Sequence, residues 1–106
     1  MAFEVVVAEP AETDLQDALA YLMERSPQAA SQWFYGVQEA FLSLEEMPQR
    51  CAPIAEAGEF ACDYRQLLVG SHRIIFRVEE SANLVFVVRV WHGSRQPLLR
   101  QKIEVG

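Results

Sequence analysis

The chain has 106 residues, of which 51% are hydrophobic and 23% are charged, and its formal net charge is −6. A chain of this length forms about one domain and buries roughly 60–70% of its unfolded surface in one core. No apolar run approaches the ~20 residues that cross a bilayer, and the N-terminus lacks the basic segment and cleavage site of a secretory signal. We therefore expect one cytoplasmic domain over residues 1–106, with no membrane partner and a tail over residues 97–106 that is either flexible or ordered by a partner.

The charge is divided unevenly along the chain. Residues 1–62 hold two arginines and eleven acids, a net charge of −9, whereas residues 63–106 hold seven cations and four acids, a net charge of +3. The acidic total disfavours a protein that binds nucleic acid with its whole surface, so an anion-binding surface is expected in the second part alone. Cys51 and Cys62 lack the companion ligands of a zinc site, which predicts reduced thiols and no metal or cofactor.

The start of the chain predicts a strand followed by a helix. The segment Phe3–Ala8 is rich in β-branched residues, and its nearly continuous apolarity predicts an interior or well-covered strand. Pro10 suits the first turn of a helix, which we expect to run to about Glu24. The apolar residues of this helix recur at the spacing of one helical face: Ala11, Leu15, Ala18, Leu19, Leu22 and Met23.

A second helix is predicted from about Pro27 to Met47, with Ser26 as its N-cap. Its apolar stripe consists of Ala30, Trp33, Phe34, Val37, Ala40, Phe41 and Leu44. Trp33 and Phe34 would suit a platform for stacking bases, but aromatic residues at helical spacing are more often part of the core. Because about two residues separate the helices, we expect an antiparallel hairpin on one face of a sheet.

Three short strands are predicted in the last part of the chain. They follow a connector without periodicity, whose Ile54 and Phe60 we expect to reach the core. The connector spans residues 49–62, and the strands span Tyr64–Val69, His72–Val78 and Leu84–Trp91. With the first strand and the helices they predict an α+β fold, a small mainly antiparallel sheet with an N-terminal helical hairpin packed on one face, in the order β-α-α-β-β-β.

Turn signals predict how these strands pair. Gly70-Ser71 is typical of a two-residue hairpin turn, and residues 79–83 predict a five-residue loop that places Arg73 opposite Arg89. Side chains alternate across a sheet, so this pairing predicts two faces. The face toward the helices would carry Leu67, Val69, Ile74, Phe76, Val78, Phe86, Val88 and Val90. The other face would carry Tyr64, Gln66, Leu68, Arg73, Ile75, Arg77, Val85, Val87, Arg89 and Trp91.

Arginine recurs in these otherwise apolar strands. A guanidinium stays charged and needs a partner when it is desolvated, and two arginines opposite each other destabilise a sheet by up to about 1 kcal/mol. Arg73 and Arg89 therefore either face an external anion or are neutralised within the molecule. The acids considered for that internal role are Glu56, Glu59 and Glu79. Arg65 falls on the helix side in this pairing, which predicts an internal ion pair with the acidic helices.

The order of the elements, the segment Gly-x-x-Arg-Ile-Ile-Phe at residues 70–76 and the segment His-Gly-Ser-Arg at residues 92–95 resemble the toxins of the RelE/ParE superfamily of bacterial toxin-antitoxin modules. The resemblance covers about residues 3–97. It implies a growth-inhibiting toxin that a cognate antitoxin holds inactive by wrapping it with an acidic segment. It is compatible with a toxin homodimer and with a toxin–antitoxin heterotetramer.

The two branches of the superfamily differ in chemistry. RelE-like toxins cleave messenger RNA on the ribosome through attack of a 2′-hydroxyl on the adjacent phosphate, which requires a base, an acid and a cationic clamp. Carried over by position, Arg73 and Arg95 would be the catalytic cations, and His92 or Tyr64 would transfer the proton. Whether the chain is an enzyme stays open at this point.

ParE-like toxins act by binding, with DNA gyrase as their usual target, and have no catalytic residues. The His-Gly-Ser-Arg segment favours this branch, as do a single lysine at Lys102, the net charge of −6, and Leu98 and Leu99 where RelE-like chains often have a tyrosine. A relative that only binds an antitoxin is the third alternative. The residues expected to bind partners are Tyr64, Arg73, Arg77, Arg89, Trp91 and Arg95.

Overall fold

The computed structural model describes residues 2–54 and 63–92. Its helices and strands are β1 (Glu4–Val7), α1 (Glu9–Arg25), α2 (Pro27–Ser43), β2 (Arg65–Val69), β3 (His72–Glu79) and β4 (Leu84–His92). Short 3₁₀ turns at Pro48–Arg50 and Glu80–Ala82 complete the described elements. This is the predicted α+β fold in the predicted β-α-α-β-β-β order.

The four strands form one sheet in the order β1-β4-β3-β2. β1 is parallel to β4, and the remaining pairs are antiparallel. Of the two positions expected for the first strand, interior or well covered, the interior one is wrong, because β1 pairs with β4 alone among the described strands and so lies at an edge. Its apolar character has another origin: Val5 and Val7 pack against the core beneath the helices.

The helical hairpin covers one face of the sheet and encloses the main core. Ser26 caps α2 as predicted, since its hydroxyl accepts a hydrogen bond from the backbone N–H of Ala29 at 3.2 Å. Gly36 brings α2 close to β2: a Cβ at this position would lie 3.1 Å from Cγ1 of Val69. The fully buried centre of this core consists of Ala11, Ala40, Leu44, Cys51, Ile74, Phe76, Val85, Val87 and Val90.

The second helix ends at Ser43, one turn earlier than predicted. Leu44 follows as the C-cap, and Met47 adopts a left-handed backbone conformation with φ 48° directly before the 3₁₀ turn that starts at Pro48. The guanidinium of Arg50 folds back and donates to the carbonyl oxygens of Glu46 at 3.1 Å and Met47 at 3.3 Å. The side chain of Arg50 therefore stabilises the turn between α2 and the 3₁₀ segment.

The apolar stripes of the two helices are narrower than predicted. Met23 and Phe34 were both assigned to the buried stripes, and both are exposed. Each directly follows a residue that does face the core side, Leu22 and Trp33, and adjacent helical positions point about 100° apart. Trp33 is partly buried against the core, so the core interpretation holds for it and fails for Phe34.

The hairpin between β2 and β3 agrees with the prediction. Val69 pairs with His72 and Leu68 with Arg73, which leaves Gly70-Ser71 as the two-residue turn. Gly70 has φ +57°, a conformation that glycine adopts without the steric cost of a Cβ. The turn chemistry was therefore sufficient to set this register.

The pairing of β3 with β4 differs from the prediction by one residue at the loop end. The strands close at Glu79 and Leu84, around a four-residue connection that ends with Asn83 in a left-handed conformation, φ 53°. This shift exchanges the faces of four residues of β4. Val85 and Val87, predicted on the far side, are fully buried toward the helices, whereas Phe86 and Val88 lie on the far side.

A β-bulge restores the predicted faces farther along β4. Phe76 pairs with Val87 and Ile75 with Arg89, so Val88 is the extra residue. The bulge changes the alternation once more, and Val90 therefore faces the helices as predicted. The shift at the loop end and the bulge together place Arg73 opposite Trp91, so the expected pair of Arg73 with Arg89 does not form.

Candidate functional site

The face of the sheet turned away from the helices, here called the second face, carries the polar and aromatic side chains of interest. Its residues are Tyr64, Gln66, Leu68, Arg73, Ile75, Arg77, Phe86, Val88, Arg89 and Trp91. Tyr64, Ile75 and Trp91 form a small buried cluster with Ile54, so the predicted burial of Ile54 is confirmed. Phe60 lies outside the described residues. The second face thus has a buried centre with charged and exposed residues around it.

Arg77 makes contacts that a partner can replace at low cost. Its Nη1 lies 2.8 Å from Oε1 of Glu79, and its guanidinium sits 4.5 Å above the ring centre of Phe86. The Glu79 side chain is about half exposed. Exposed ion pairs of this kind contribute at most about 1 kcal/mol, so a carboxylate of another protein can take the place of Glu79.

Arg73 lies nearer the middle of the second face. Its Nε donates to Oε1 of Gln66 on the neighbouring strand at 2.8 Å, and its partner in the β3–β4 pairing is Trp91. This hydrogen bond fixes the orientation of the guanidinium on the second face. Arg73 is therefore positioned by contacts within the sheet and sits beside an aromatic residue, an environment typical of arginines that bind anions.

Arg89 forms an internal ion pair with Asp14 of α1. Its Nε and Nη2 donate to the two carboxylate oxygens at 2.7 and 2.8 Å, and both side chains are largely buried, with exposed fractions of 15% and 9%. The hydrogen bond to Asp14 raises the pKa of Arg89 above its ordinary value, although burial acts in the opposite direction. Its guanidinium also lies 5.0 Å from the ring centre of Trp91. Arg89 is thus matched internally by a carboxylate.

Asp14 is the functional contact that the sequence interpretation missed. Of the acids considered there, Glu79 pairs with Arg77, while Glu56 and Glu59 lie outside the described residues. The signal was present in α1, because Asp14 lies three residues after Ala11 and one before Leu15, within the buried helical face. A carboxylate that is buried on that face needs a cationic partner, and Arg89 of β4 is that partner.

Arg65 has internal partners, but they differ from the predicted ones. Its Nη1 donates to the carbonyl oxygens of Cys51 at 2.6 Å and Gln49 at 3.2 Å, and its Nη2 lies 3.4 Å from Asp63. The prediction of an ion pair with the acidic helices is therefore wrong for the described contacts. β2 lies beside the connector that leaves α2, as shown by the bridge from Pro53 to Arg65, so connector carbonyls are reached first.

His92 lies on the helix face, on the opposite side of the sheet from Arg73. It pairs with His72 across the strands, with ring centres 4.8 Å apart, and His72 in turn lies 4.9 Å from the ring of Trp33 on α2. Arg73, one position along β3, points to the second face. The structure therefore separates two of the three residues proposed for catalysis, and Arg95, the third, lies outside the described residues.

Metal binding and membrane insertion find no support in residues 2–54 and 63–92. No three histidine, cysteine, aspartate or glutamate side chains in these ranges gather as metal ligands, and Cys51 is a buried free thiol. None of the described helices is both long and apolar enough to cross a membrane.

The fold is shared with solved toxin–antitoxin systems. The chromosomal ParDE system of P. aeruginosa has a similar chain with a TM-score of 0.66 at 17% identity, covering 86% of this chain and 96% of that one. A chain of the RelBE2 toxin-antitoxin complex of Mycobacterium tuberculosis gives 0.58 at 22% identity, covering 87% and 92%. A chain of the archaeal RelE–RelB complex of Pyrococcus horikoshii OT3 gives 0.56 at 17% identity, covering 91% and 100%. These likenesses define the class of fold.

The sequence identifies the family within this class. Residues 5–97 match the family described as the ParE toxin of the type II toxin-antitoxin system, parDE. The toxin RelE1 of Caulobacter vibrioides is 29% identical over 98 residues, which are 91% of this chain and 99% of that protein. The chain belongs to the ParE toxin family, and the resemblance to the RelE/ParE superfamily is confirmed. It is the toxin component of a type II toxin-antitoxin system.

Proposed function

We propose that this toxin inhibits growth in the cytoplasm by binding its target, with DNA gyrase as that target, and that a cognate antitoxin neutralises it through an acidic segment on the second face. The observation that carries the binding mechanism is the placement of Arg73 and His92 on opposite faces of the sheet. General acid–base chemistry on one phosphate needs its groups within hydrogen-bond reach of the same substrate. Arg73 and His92 do not meet that requirement, and Tyr64, which shares the face of Arg73, is only 4% exposed.

The second face suits an acidic segment because its arginines differ in how firmly they are held. Arg77 is paired with a half-exposed carboxylate that a partner can replace, and Arg73 lies on the same face with its Nε on the side-chain amide of Gln66. Arg89 is matched by a largely buried carboxylate, so we assign it a smaller part in binding than the sequence suggested. Tyr64 and Trp91 belong to the buried cluster beneath these arginines. Arg95 remains a predicted contact.

The test of the target is a supercoiling assay with purified DNA gyrase and relaxed plasmid. We expect the toxin to inhibit supercoiling, and we expect the antitoxin, added at an equal concentration, to restore it. Unchanged supercoiling at micromolar excess of toxin would reject gyrase as the target. Growth without arrest after induced expression would reject the toxic function itself and leave a protein that only binds its antitoxin.

A RelE-like ribosome-dependent ribonuclease is the second candidate, and the likeness to the toxin RelE1 is the observation that favours it. The test is cleavage of messenger RNA in a translating extract, comparing the parent with Arg73→Ala and His92→Ala. If the parent cleaves and both variants lose cleavage, the catalytic hypothesis replaces the binding one. If the parent does not cleave, this candidate is rejected.

A further inference from the structure

A groove lies on the helix side of the molecule, away from the second face. Its volume is about 620 Å³, and it is bordered by α1, the start of α2, the β2–β3 turn and the end of β4. This volume lies within the range of about 300–1,000 Å³ that is usual for ligand pockets. Asp14 is the link between this groove and the described ion pairs of the second face, because it lines the groove wall and pairs with Arg89.

Three aromatic rings in contact with one another form one wall of the groove. The ring centre of His72 lies 4.9 Å from that of Trp33 and 4.8 Å from that of His92. Each of the three residues lines the groove. Of the three rings, the indole of Trp33 is the one that attracts a cation placed over its face, because the face of its π system carries partial negative charge.

The same wall contains an unsatisfied donor. Nε1 of Trp33 is buried and has no hydrogen-bond partner in the part of the chain that the structure describes. A buried donor left without an acceptor is destabilising, so an acceptor that reaches it stabilises the complex. A peptide bound in the groove would bring backbone carbonyl oxygens to this wall, and one of them could accept from the indole N–H after a small tilt of the ring.

The rim of the groove is acidic. Asp17 lies one turn after Asp14 on α1, is exposed, and has no ion pair among the described residues, whereas Asp14 is matched by Arg89. The two helices together carry six acids against the single cation of Arg25. Arg25 itself lies 3.6 Å over the ring of Tyr21, another groove residue, which shows that this rim accommodates a guanidinium on an aromatic face.

These charges decide between possible occupants. A second copy of the chain would bring its own acidic helices against the acidic rim, and an acidic antitoxin segment would be repelled in the same way. A cationic side chain flanked by apolar residues is complementary, because its stem packs on the small apolar wall residues Ala18, Ala29 and Val90 while its charge meets Asp17.

We propose that the groove is a docking site for a segment of a protein partner that carries an arginine or lysine between apolar residues. The cation lies between the aromatic wall and Asp17, and the backbone of the segment accepts from Trp33. The surface is distinct from the second face, so it leaves the antitoxin-binding arginines accessible. The proposal does not rest on the identity of the toxin's target.

The two described tryptophans allow a sharp test, because Trp33 lines the groove and Trp91 lies on the second face. The full chain, labelled with ¹⁵N, is titrated with the capped peptide Ala-Leu-Arg-Leu-Ala and with analogues in which glutamine or glutamate replaces the central arginine. We expect the arginine peptide to shift the indole N–H resonance of Trp33 and to leave that of Trp91 unchanged. The glutamine and glutamate peptides should have little effect.

The variant Asp17→Asn should weaken binding of the arginine peptide about two- to fivefold, since it removes one exposed charge pair. Glu12→Gln is the matched control, because Glu12 is an exposed acid on the same helix that does not line the groove. It should leave the affinity unchanged. Equal weakening by both variants would show a general effect of net charge and would overturn the assigned role of Asp17.

Four further results would overturn the proposal. The Trp33 resonance could stay unchanged at millimolar peptide, or the glutamine peptide could shift it as strongly as the arginine peptide does. It could move with protein concentration alone, which would assign the groove to a second copy. It could also move in the unliganded variant Arg100→Gln/Lys102→Gln, which would assign the groove to the chain's own C-terminal segment.

Discussion

The two faces of the sheet use the same three strands for different purposes. The helix face buries Ile74, Phe76, Val85 and Val87 completely beneath the hairpin. The second face has only a small buried cluster and is bordered by Arg73 and Arg77, and the carboxylate that pairs with Arg77 is half exposed. Most of the buried apolar area that stabilises the fold therefore lies on the helix face, and the second face carries charged side chains with little loss of folding free energy.

The largest expected effect comes from the helix face. Phe76→Ala should lower the free energy of unfolding by about 3–5 kcal/mol, because it removes a fully buried ring from the centre of the main core. Leu68→Ala on the second face is the control, since this side chain is 63% exposed and its loss should cost less than about 0.5 kcal/mol. Urea denaturation measures both. Similar losses in the two variants would contradict the division between faces.

The next effect concerns the ion pair that joins α1 to β4. Asp14→Ala should cost about 2–3 kcal/mol, because it leaves a largely buried guanidinium without its carboxylate. Asp14→Asn should cost less, since its amide oxygen can still accept from the backbone N–H of Val90. Glu12→Ala, an exposed acid of the same helix, controls for helix propensity. If Asp14→Ala and Glu12→Ala unfold at the same urea concentration, the pair contributes nothing to the fold.

On the second face the expected effect appears in binding and leaves stability unchanged. Arg77→Gln should weaken antitoxin binding about tenfold, because a charge-assisted hydrogen bond across the interface contributes about 1.5 kcal/mol. Its unfolding free energy should stay within about 0.5 kcal/mol of the parent. Arg25→Gln, on the helical hairpin, is the matched control, and calorimetric titration gives both affinities. Equal weakening in the two variants would place the antitoxin elsewhere.

The smallest effect is expected for pH, which should not change the contribution of the Arg89–Asp14 pair to the free energy of unfolding. A raised pKa means that Arg89 contributes its stabilisation fully below the pKa of the unfolded guanidinium and loses it only as pH rises through the higher folded value. That loss lies beyond the pH range of ordinary measurements. The difference in unfolding free energy between the parent and Asp14→Asn should therefore be constant from about pH 7 to 10. A difference that shrinks within this range would contradict the direction of the pKa shift.

The sequence predicted those parts of the fold that depend on local chemistry. Ser26 before a proline predicted the cap of α2, and Gly70 before a serine predicted the first hairpin turn together with its register. The second hairpin was mispredicted by one residue because the left-handed conformation of Asn83 and the bulge at Val88 depend on how β4 packs between two neighbours. Neither feature leaves a local signal as strong as glycine in a turn.

For the candidate site, too, the sequence predicted what local chemistry determines and missed what depends on the packed fold. Arg73 and Arg77 were assigned to the correct face because β3 pairs with β2 through the well-signalled turn. His92 was grouped with them because it follows Arg89 closely in sequence, yet the alternation of β4 places its ring against His72 on the helix face. The partner of Arg89 lies 75 residues away on α1, and only the packed fold brings them together.

The carboxylate of Asp14 also protects the protein from association through its sheet edge. β1 pairs with β4 only as far as Val7, so beyond that point β4 has an edge whose backbone would otherwise be open. Oδ2 of Asp14 accepts from the N–H of Val90 there, at 3.0 Å. A strand from another molecule would have to displace a charged group that Arg89 holds in place, which disfavours edge-to-edge pairing. Loss of Asp14 is therefore expected to promote aggregation at concentrations where the parent remains dispersed.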